Sequence, residues 1–420
     1  MLLNQILSRE NMLQALKRVE QNKGSHGVDR MPVQTLRQYL VENWHSIREA
    51  IFKGTYEPMP VRRVEIPKTG GGFRLLGIPT VRDRLIQQAI AQVLSKIYDP
   101  MFSEHSYGFR PNRSAHDAVR EAKGYIKEGY RWVVDMDLEK FFDKVNHDRL
   151  MSTLAKRIKD KPLLKLIRKY LQAGVMMDGV ISSTEEGTPQ GGPLSPLLSN
   201  IVLDELDKEL ESRGHKFVRY ADDCNVYVKS KRAGERTRAS IQRFIEKKLR
   251  LKVNEKKSAV DRPWKRKFLG FSFTSSKEPK IRIAKESLKR MKKKIREITS
   301  RKMPYSMRYR MEKLNQYLMG WCGYFALADT KSLFIKLDGW IRRRLRMCQW
   351  KDWKKPKTRI RNLIHLGVPK GKAYEWGNSR KGYWRVSNSP ILDKTLDISY
   401  WNNQGFKSLQ TRYKFLRHLS

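Results

Sequence analysis

The residues best suited to chemistry lie in two short acidic segments. Between Lys216 and Val228 the runs FVRY, ADD and CNVYV follow one another, two strand-like stretches about an acidic link, which predicts a hairpin with Asp222 and Asp223 at its tip. Aspartate also favours turns by bonding its own backbone, so the tip alone decides little. Upstream, residues 132 to 138 alternate: Trp132, Val134, Met136 and Leu138 share one face of a strand, and Val133, Asp135 and Asp137 share the other. Carboxylates from two strands can share a pair of divalent ions roughly 3.5–4 Å apart, the arrangement that stabilises the attacking and leaving oxygens of phosphoryl transfer. Mg²⁺ suits that task, since it takes oxygen ligands and bridges to substrate phosphates. The sequence holds no GxxxxGK[ST], HExxH or GxSxG that would offer another centre.

The elements that must position these groups are mixed. Asn11 to Asn22 has helical periodicity, with Leu13, Leu16 and Val19 on one face and a stop at Lys23-Gly24. Val61 to Pro79 has the pattern of a hairpin turning at Gly70-Gly71-Gly72, and Arg84 to Tyr98 that of a buried helix. Past residue 280 the pattern turns helical: Leu288, Met291, Ile295 and Ile298 form one stripe, and Phe334, Leu337, Ile341, Leu345 and Cys348 another. From Lys355 onward Gly, Pro, Asn and Ser break the chain into short helices and loops.

Charge indicates the partner. The 420 residues carry 88 Lys+Arg against 43 Asp+Glu, a net charge of +45, which attracts polyanions. The excess is densest over residues 281–420, where 35 basic residues face 9 acidic ones and seven of the ten tryptophans lie, so a boundary is expected near Lys277 to Lys280. There is no uncharged run long enough to span a bilayer, and the opening MLLNQILSRENML lacks a signal-peptide layout; a cytoplasmic protein without a membrane partner is expected. Cys224, Cys322 and Cys348 form no CxxC pair and are expected to be buried small hydrophobes.

Tyr220-Ala221-Asp222-Asp223, with Asp137 and Phe142, resembles the palm of reverse transcriptases. Thr188-Pro189-Gln190-Gly191-Gly192-Pro193-Leu194-Ser195-Pro196 resembles the TPQGGPLSP motif of the group II intron reverse transcriptases. Ser106-Tyr107-Gly108-Phe109-Arg110-Pro111, Leu251-Lys252-Val253-Asn254-Glu255-Lys256-Lys257-Ser258 and Phe268-Leu269-Gly270-Phe271 are similar to further motifs of that family, in the family's order. Beyond residue 280, Trp340-Ile341-Arg342-Arg343-Arg344-Leu345-Arg346 and Trp353-Lys354-Lys355 resemble its maturase, or thumb, region, so the resemblance covers nearly the whole chain.

The resemblance implies roles residue by residue. Asp137, Asp222 and Asp223 become the catalytic ligands of two Mg²⁺ ions; Asp135 shares the face of Asp137 but does not match the family position. Phe142 would lie under the sugar of the incoming nucleotide and exclude a 2′-hydroxyl. Lys68 and Arg74, flanking the triple glycine, would meet the triphosphate. Gln190 would approach the nascent base pair, and Lys257 would protonate departing pyrophosphate. The Gly24-Ser25-His26-Gly27-Val28-Asp29 loop matches the region of an N-terminal extension and is expected near the template. His147 is expected to be structural. In the basic tail, Trp350 and Trp353 sit among Lys351, Lys354, Lys355 and Lys357 as candidates to stack on bases, and Trp340 is a poorer one.

The expected fold is therefore α+β: a right-hand polymerase with fingers and an antiparallel palm sheet over residues 1–273, a helical thumb over 274–355, and a small basic DNA-binding region over 356–420. The implied function is an RNA-directed DNA polymerase that also acts as a maturase, with group II intron RNA, a primed RNA template, target DNA and deoxynucleoside triphosphates as partners, working in the bacterial cytoplasm as an intron ribonucleoprotein. No HNH endonuclease motif follows, which points by analogy to a IIC-like class. The rivals are an RNA-binding splicing factor with little polymerase activity and a reverse transcriptase of a defence or diversity-generating system.

Overall fold

The computed structural model describes residues 1–67, 71–177, 180–182, 186–187 and 191–418, with 180–182 described by their backbone alone. It divides into two compact units, Met1–Arg262 and Pro263–Ser420, ahead of the shift in composition at residues 277–280.

In the first unit the strands are β1 (Val61–Pro67), β2 (Phe73–Ile78), β3 (Trp132–Met136), β4 (Val175–Met177), β5 (Val180–Ser182), β6 (Lys216–Tyr220), β7 (Asp223–Val228) and β8 (Ala259–Asp261). One sheet has the order β6-β7-β3-β8, antiparallel throughout; the other has the order β2-β1-β4-β5, with β1 parallel to β4. The Val81–Tyr98 helix buries residues around its whole circumference, as a helix must when it is covered on all sides. It starts before the expected Arg84 because the Thr80 hydroxyl caps it, accepting from the Asp83 amide at 3.1 Å. Buried Asp83 is satisfied in turn by the hydroxyls of Thr80 and Tyr56, each at 2.6 Å.

Local chemistry also moves other boundaries. The first long helix is Arg9–Asn22, capped by Ser8, and it buries Met12, Ala15, Leu16 and Val19; Leu13, expected on that face, is 49% exposed. The β1–β2 hairpin pairs Pro67 with Phe73, and Gly71 and Gly72 have positive φ; Gly70 lies outside the described residues. The strand expected to run to Leu138 ends at Met136. There the Asp137 amide turns to the Ser258 hydroxyl at 3.0 Å, and its carbonyl accepts from the Asn254 amide at 2.8 Å.

The second unit opens on a small antiparallel pair, β9 (Phe271–Phe273) and β10 (Ile281–Ile283). Helices Lys285–Ile298, Met307–Phe325 and Lys331–Asp352 follow, and the stripe Phe334, Leu337, Ile341, Leu345 and Cys348 is buried as its spacing requires. Shorter helices complete the unit. Buried Asp338 anchors the last of them, Leu409–His418, by accepting from the amides of Leu409 and Gln410, each at 2.9 Å. All three cysteines are buried.

Candidate active site

The acidic tip is built by the β6–β7 ladder. Tyr220 pairs with Asp223, so Ala221 and Asp222 make the connection and Asp223 is the first residue of β7. Ala221 takes φ +56°, a left-handed conformation that an L residue holds only when its surroundings compel it. The compulsion comes from two sides. Arg219, fully buried at the end of β6, donates to the Ala221 carbonyl at 2.8 Å. Gly108 lies against the tip so closely that a Cβ there would collide with the Ala221 amide.

The second acidic segment is aligned by register. β3 and β7 pair Trp132 with Val228 through to Met136 with Cys224, so the next residue on β3, Asp137, and the first on β7, Asp223, emerge at the same end of neighbouring strands. Asp135 sits one pleat back, opposite Asn225. Asp137 is half-buried, and Lys257 Nζ lies 3.3 Å from its Oδ2. Burial pushes the Asp222 carboxyl above the usual range, the charge of Asp137 adds to the push, and Arg74 and Lys257 oppose it. Asp137, Asp222, Arg74 and Lys257 thus share one electrostatic neighbourhood, while Asp223 is exposed.

This donor set fits a hard divalent cation. Asp137 Oδ2 is buried and faces a cation, the Lys257 ammonium, without a hydrogen bond among the described residues, and two more carboxylates stand at the same sheet end. Among the described residues no three His, Cys, Asp or Glu side chains come close enough together to hold a metal ion between them.

Beside them, Phe142 lies on the short helix Phe141–Lys144. Phe141 is buried in the core; Phe142 is half-buried and meets it edge to face at 5.2 Å. Gly187, at φ +95°, packs on this turn: a Cβ there would lie 2.8 Å from the Phe142 carbonyl oxygen, and its amide donates to the Val145 carbonyl at 2.8 Å. The buried ring of His147 holds the Gly187 carbonyl at 2.6 Å, which gives it the structural place expected. Gly191, at φ +124°, abuts Gly77 of β2. Arg74 is exposed on β2, opposite Ile66. Lys68 and Gln190 lie outside the described residues. The Gly24 to Asp29 loop is tied to the first unit by Arg62, which donates to the His26 carbonyl at 2.9 Å, and by Arg84, which donates to that of Ser25.

In the second unit the aromatic and basic residues sort differently from expectation. Trp350 and Trp353 are 1% and 7% exposed and belong to the core: Trp350 lies on the side of the Lys331–Asp352 helix opposite the apolar stripe, where it meets Trp353 and has Arg359 over its ring. Half-buried Trp340 instead has Lys292, Arg296 and Arg344 each within 5.8 Å of its ring, and Arg343 lies 3.9 Å over Trp384. Burial lowers the Arg344 guanidinium from its ordinary value, Cys348 opposes the shift and the nearby charge of Arg296 adds to it, while Arg344 donates to the Thr299 hydroxyl at 2.6 Å.

Sequence reasoning missed Arg219 and its partners Asp207, Asn200 and Ser106. The signal was a charged residue inside the apolar run FVRY: three successive residues of β6, Phe217, Val218 and Arg219, are wholly buried, so a guanidinium there needs a prepared set of acceptors.

Comparison with known proteins also divides the chain in two, with the first match running past the end of the first compact unit. Residues 66–273 match the reverse transcriptase (RNA-dependent DNA polymerase) family and residues 288–367 the group II intron maturase-specific domain. The chain is 34% identical to protein YkfC of Escherichia coli over 62% of its own length and 78% of that protein's. It is 44% identical to the group II intron-encoded protein LtrA of Lactococcus lactis over 42% of this chain and 30% of LtrA. To the putative COX1/OXI3 intron 2 protein of Saccharomyces cerevisiae it is 38% identical, over 47% of this chain and 22% of that protein, so it spans less than a third of these two relatives.

Proposed function

Because the chain belongs to the group II intron reverse transcriptases, with a maturase-specific domain following the polymerase domain, we propose that it copies RNA into DNA and that it binds its parent intron RNA, promotes its splicing and serves its retromobility. One observation carries the polymerase half: the β3–β7 register brings Asp137 to the sheet end that bears Asp222 and Asp223. The rival reading of a defence or diversity-generating enzyme is disfavoured by the maturase match over residues 288–367.

In this reading Asp137, Asp222 and Asp223 hold two Mg²⁺ ions, which supply the Lewis acidity that stabilises the attacking and leaving oxygens of phosphoryl transfer. The chain's own groups do the rest. Arg74, already within reach of Asp222's field, meets the triphosphate with Lys68, and Gln190 faces the nascent pair; Lys68 and Gln190 rest on the motif resemblance. The Phe142 ring fills the space a 2′-hydroxyl would need. Lys257 Nζ, held beside Asp137, gives its proton to departing pyrophosphate. The substrates are deoxynucleoside triphosphates on a primed RNA template. Fingers and palm take residues 1–273, a thumb 274–355 and a DNA-binding segment 356–420. No helix of the described residues is long and apolar enough to cross a membrane, and we place the working ribonucleoprotein with the intron RNA in the bacterial cytoplasm.

The test is Asp222→Ala with Asp223→Ala. Primer extension on an RNA template should vanish while intron RNA binding and assisted splicing persist. Extension that survives in the double variant overturns the assignment of the centre.

A further inference from the structure

A cleft of about 670 Å³ opens in the second unit between the end of the Lys285–Ile298 helix and the start of Met307–Phe325, lined by Tyr305, Tyr309, Tyr317 and Met303 with Lys294 and Lys313 at its rim. Its size suits a small ligand with one flat group. Tyr305 and Tyr309 pair with ring centroids 4.8 Å apart, and Lys313 Nζ lies 5.6 Å over the Tyr309 ring. Tyr309 and Met303 remain 41% and 38% exposed, so the apolar faces are open to a visitor.

The walls are prepared in advance. Arg310 is 1% exposed, and its guanidinium donates to the carbonyls of Ser300 at 2.7 Å, Met303 at 2.8 Å and Tyr305 at 3.2 Å, a buried cation spent on holding a loop. The Ser306 side chain then caps the following helix, accepting from the Tyr309 amide at 3.2 Å. A loop clasped in this way loses little further freedom when a ligand enters, which favours binding.

We propose that this cleft takes a single unpaired nucleobase, stacked on the tyrosines, with its flanking phosphate met by Lys313; Lys294 is paired with Glu297, which also lines the cleft, at 3.4 Å. The inference rests on the reading that the second unit binds nucleic acid. Charge selects the ligand: over residues 281–420, 35 basic side chains face 9 acidic ones, so a flat group that carries an anion is favoured over an apolar peptide side chain. Stacking on aromatic faces tolerates any base, and the surrounding basic field supplies affinity without sequence preference. The cleft thus distinguishes a bulged or single-stranded site from a continuous duplex, which phosphate contacts alone cannot do.

The test uses the full chain and two RNA hairpins that differ by one bulged 2-aminopurine nucleotide. The native protein should bind the bulged hairpin roughly tenfold more tightly than the paired one and change the fluorescence of the probe. Tyr309→Ala should abolish both the preference and the fluorescence change, while Tyr309→Phe, which keeps the ring, should retain them. DNA hairpins of the same design decide the source: preference in RNA alone assigns RNA, and preference in both assigns any unpaired base. Equal binding of bulged and paired hairpins by the native protein, or a preference that survives in Tyr309→Ala, overturns the cleft while RNA binding stands. Failure to bind either hairpin overturns the broader reading and the cleft together.

Discussion

Arg219 and Asp207 form a wholly buried bidentate pair, with Nε 2.7 Å from Oδ1 and Nη2 2.6 Å from Oδ2. The remaining guanidinium hydrogens go to the Asn200 side-chain oxygen at 3.0 Å, the Ala221 carbonyl at 2.8 Å and the Ser106 hydroxyl at 2.7 Å, so all five donors are used. Asp207 and Asn200 lie on the Ser195–Ser212 helix, and Ser106 in the loop before Gly108. The pair therefore fastens the acidic tip to two separate pieces of the first unit, the Ser195–Ser212 helix and the loop at Ser106.

Arg219→Lys keeps the charge but concentrates three donors on one nitrogen, which cannot span Asp207 and the Ala221 carbonyl at once. The primer-extension turnover number should fall by about 100-fold, the cost of small misplacements at a reacting centre, with KM and RNA binding little changed. Ser106→Ala gives a milder form: it strands one buried donor at a cost of about 1–3 kcal/mol, so a lower melting temperature should accompany a partial loss of turnover. If RNA binding fell in step with extension in both variants, Arg219 would be a scaffold residue and not a positioning one.

In the proposed reading Phe142 selects the sugar, and its neighbour Phe141 carries the core burden. Phe141 is 2% exposed, whereas Phe142 packs on the core only in part. Phe142→Ala should therefore cost less than the roughly 3–5 kcal/mol of a fully buried Phe, and the variant should fold. Ribonucleotide incorporation, measured as a ratio of kcat/KM values against deoxynucleotides, should rise by roughly tenfold or more, since a clash of only about 1.4 kcal/mol yields that factor. An unchanged ratio would remove Phe142 from the nucleotide site.

His105 gives the first unit a pH dependence away from the carboxylates. Its Nδ1 lies 2.5 Å from Glu121 Oε1, which also accepts from the Tyr125 hydroxyl at 2.6 Å, and its own carbonyl accepts from the Arg219 amide at 2.9 Å. The hydrogen bond to Glu121 raises the His105 pKa; burial opposes it, the charges of Glu121 and Glu211 add to the rise, and Lys216 opposes it. A folded pKa above the unfolded one, near 6.5, stabilises the protonated form, so the contribution is complete below about pH 6.5 and is lost as pH rises through the folded value. Burial works to raise Glu121, but hydrogen bonds from His105, Tyr107 and Tyr125 leave it lowered, so its contribution is lost only in acid. The urea midpoint of the first unit should fall as pH rises above about 6.5, and Glu121→Gln should flatten that fall. A midpoint in the native chain that is level across this window would show that the pair contributes nothing.

The legible part of this protein was its alternation and its motifs. The strand ends bearing Asp137 and Asp222 could be read because alternation and turn chemistry act over a few residues. Arg219 could not, because four of its five acceptors come from the loop at Ser106 and the helix bearing Asn200 and Asp207, and only the folded chain brings those side chains together. The tryptophans misled for a related reason. Trp350 lies among lysines in sequence, yet Trp353 and Arg359, from beyond the end of its helix, cover it on the face opposite Leu345 and Cys348, and Trp340, between apolar neighbours, comes to face cations from another helix.

Those cations should carry the salt dependence of RNA binding. Lys292 and Arg296 reach Trp340 from the Lys285–Ile298 helix and Arg344 from the Trp340 helix itself, which also carries Arg343 over Trp384. Arg343 is doubly held, with its guanidinium 3.9 Å over Trp384 and Nη2 donating to the Trp384 carbonyl at 3.2 Å. A cation lost from a phosphate contact should flatten the slope of log affinity against log salt by about 0.7–0.9. Arg296→Gln should show that change on structured and unstructured RNA alike, because phosphate contacts carry no sequence information. Trp384→Ala should keep the charge but release Arg343 from its position, weakening binding at every salt concentration, by about fivefold for a cation–π contact of about 1 kcal/mol, without altering the slope. Titrations of labelled intron RNA at four salt concentrations separate the two effects. If Arg296→Gln left the slope unchanged, its charge would only add to the general field.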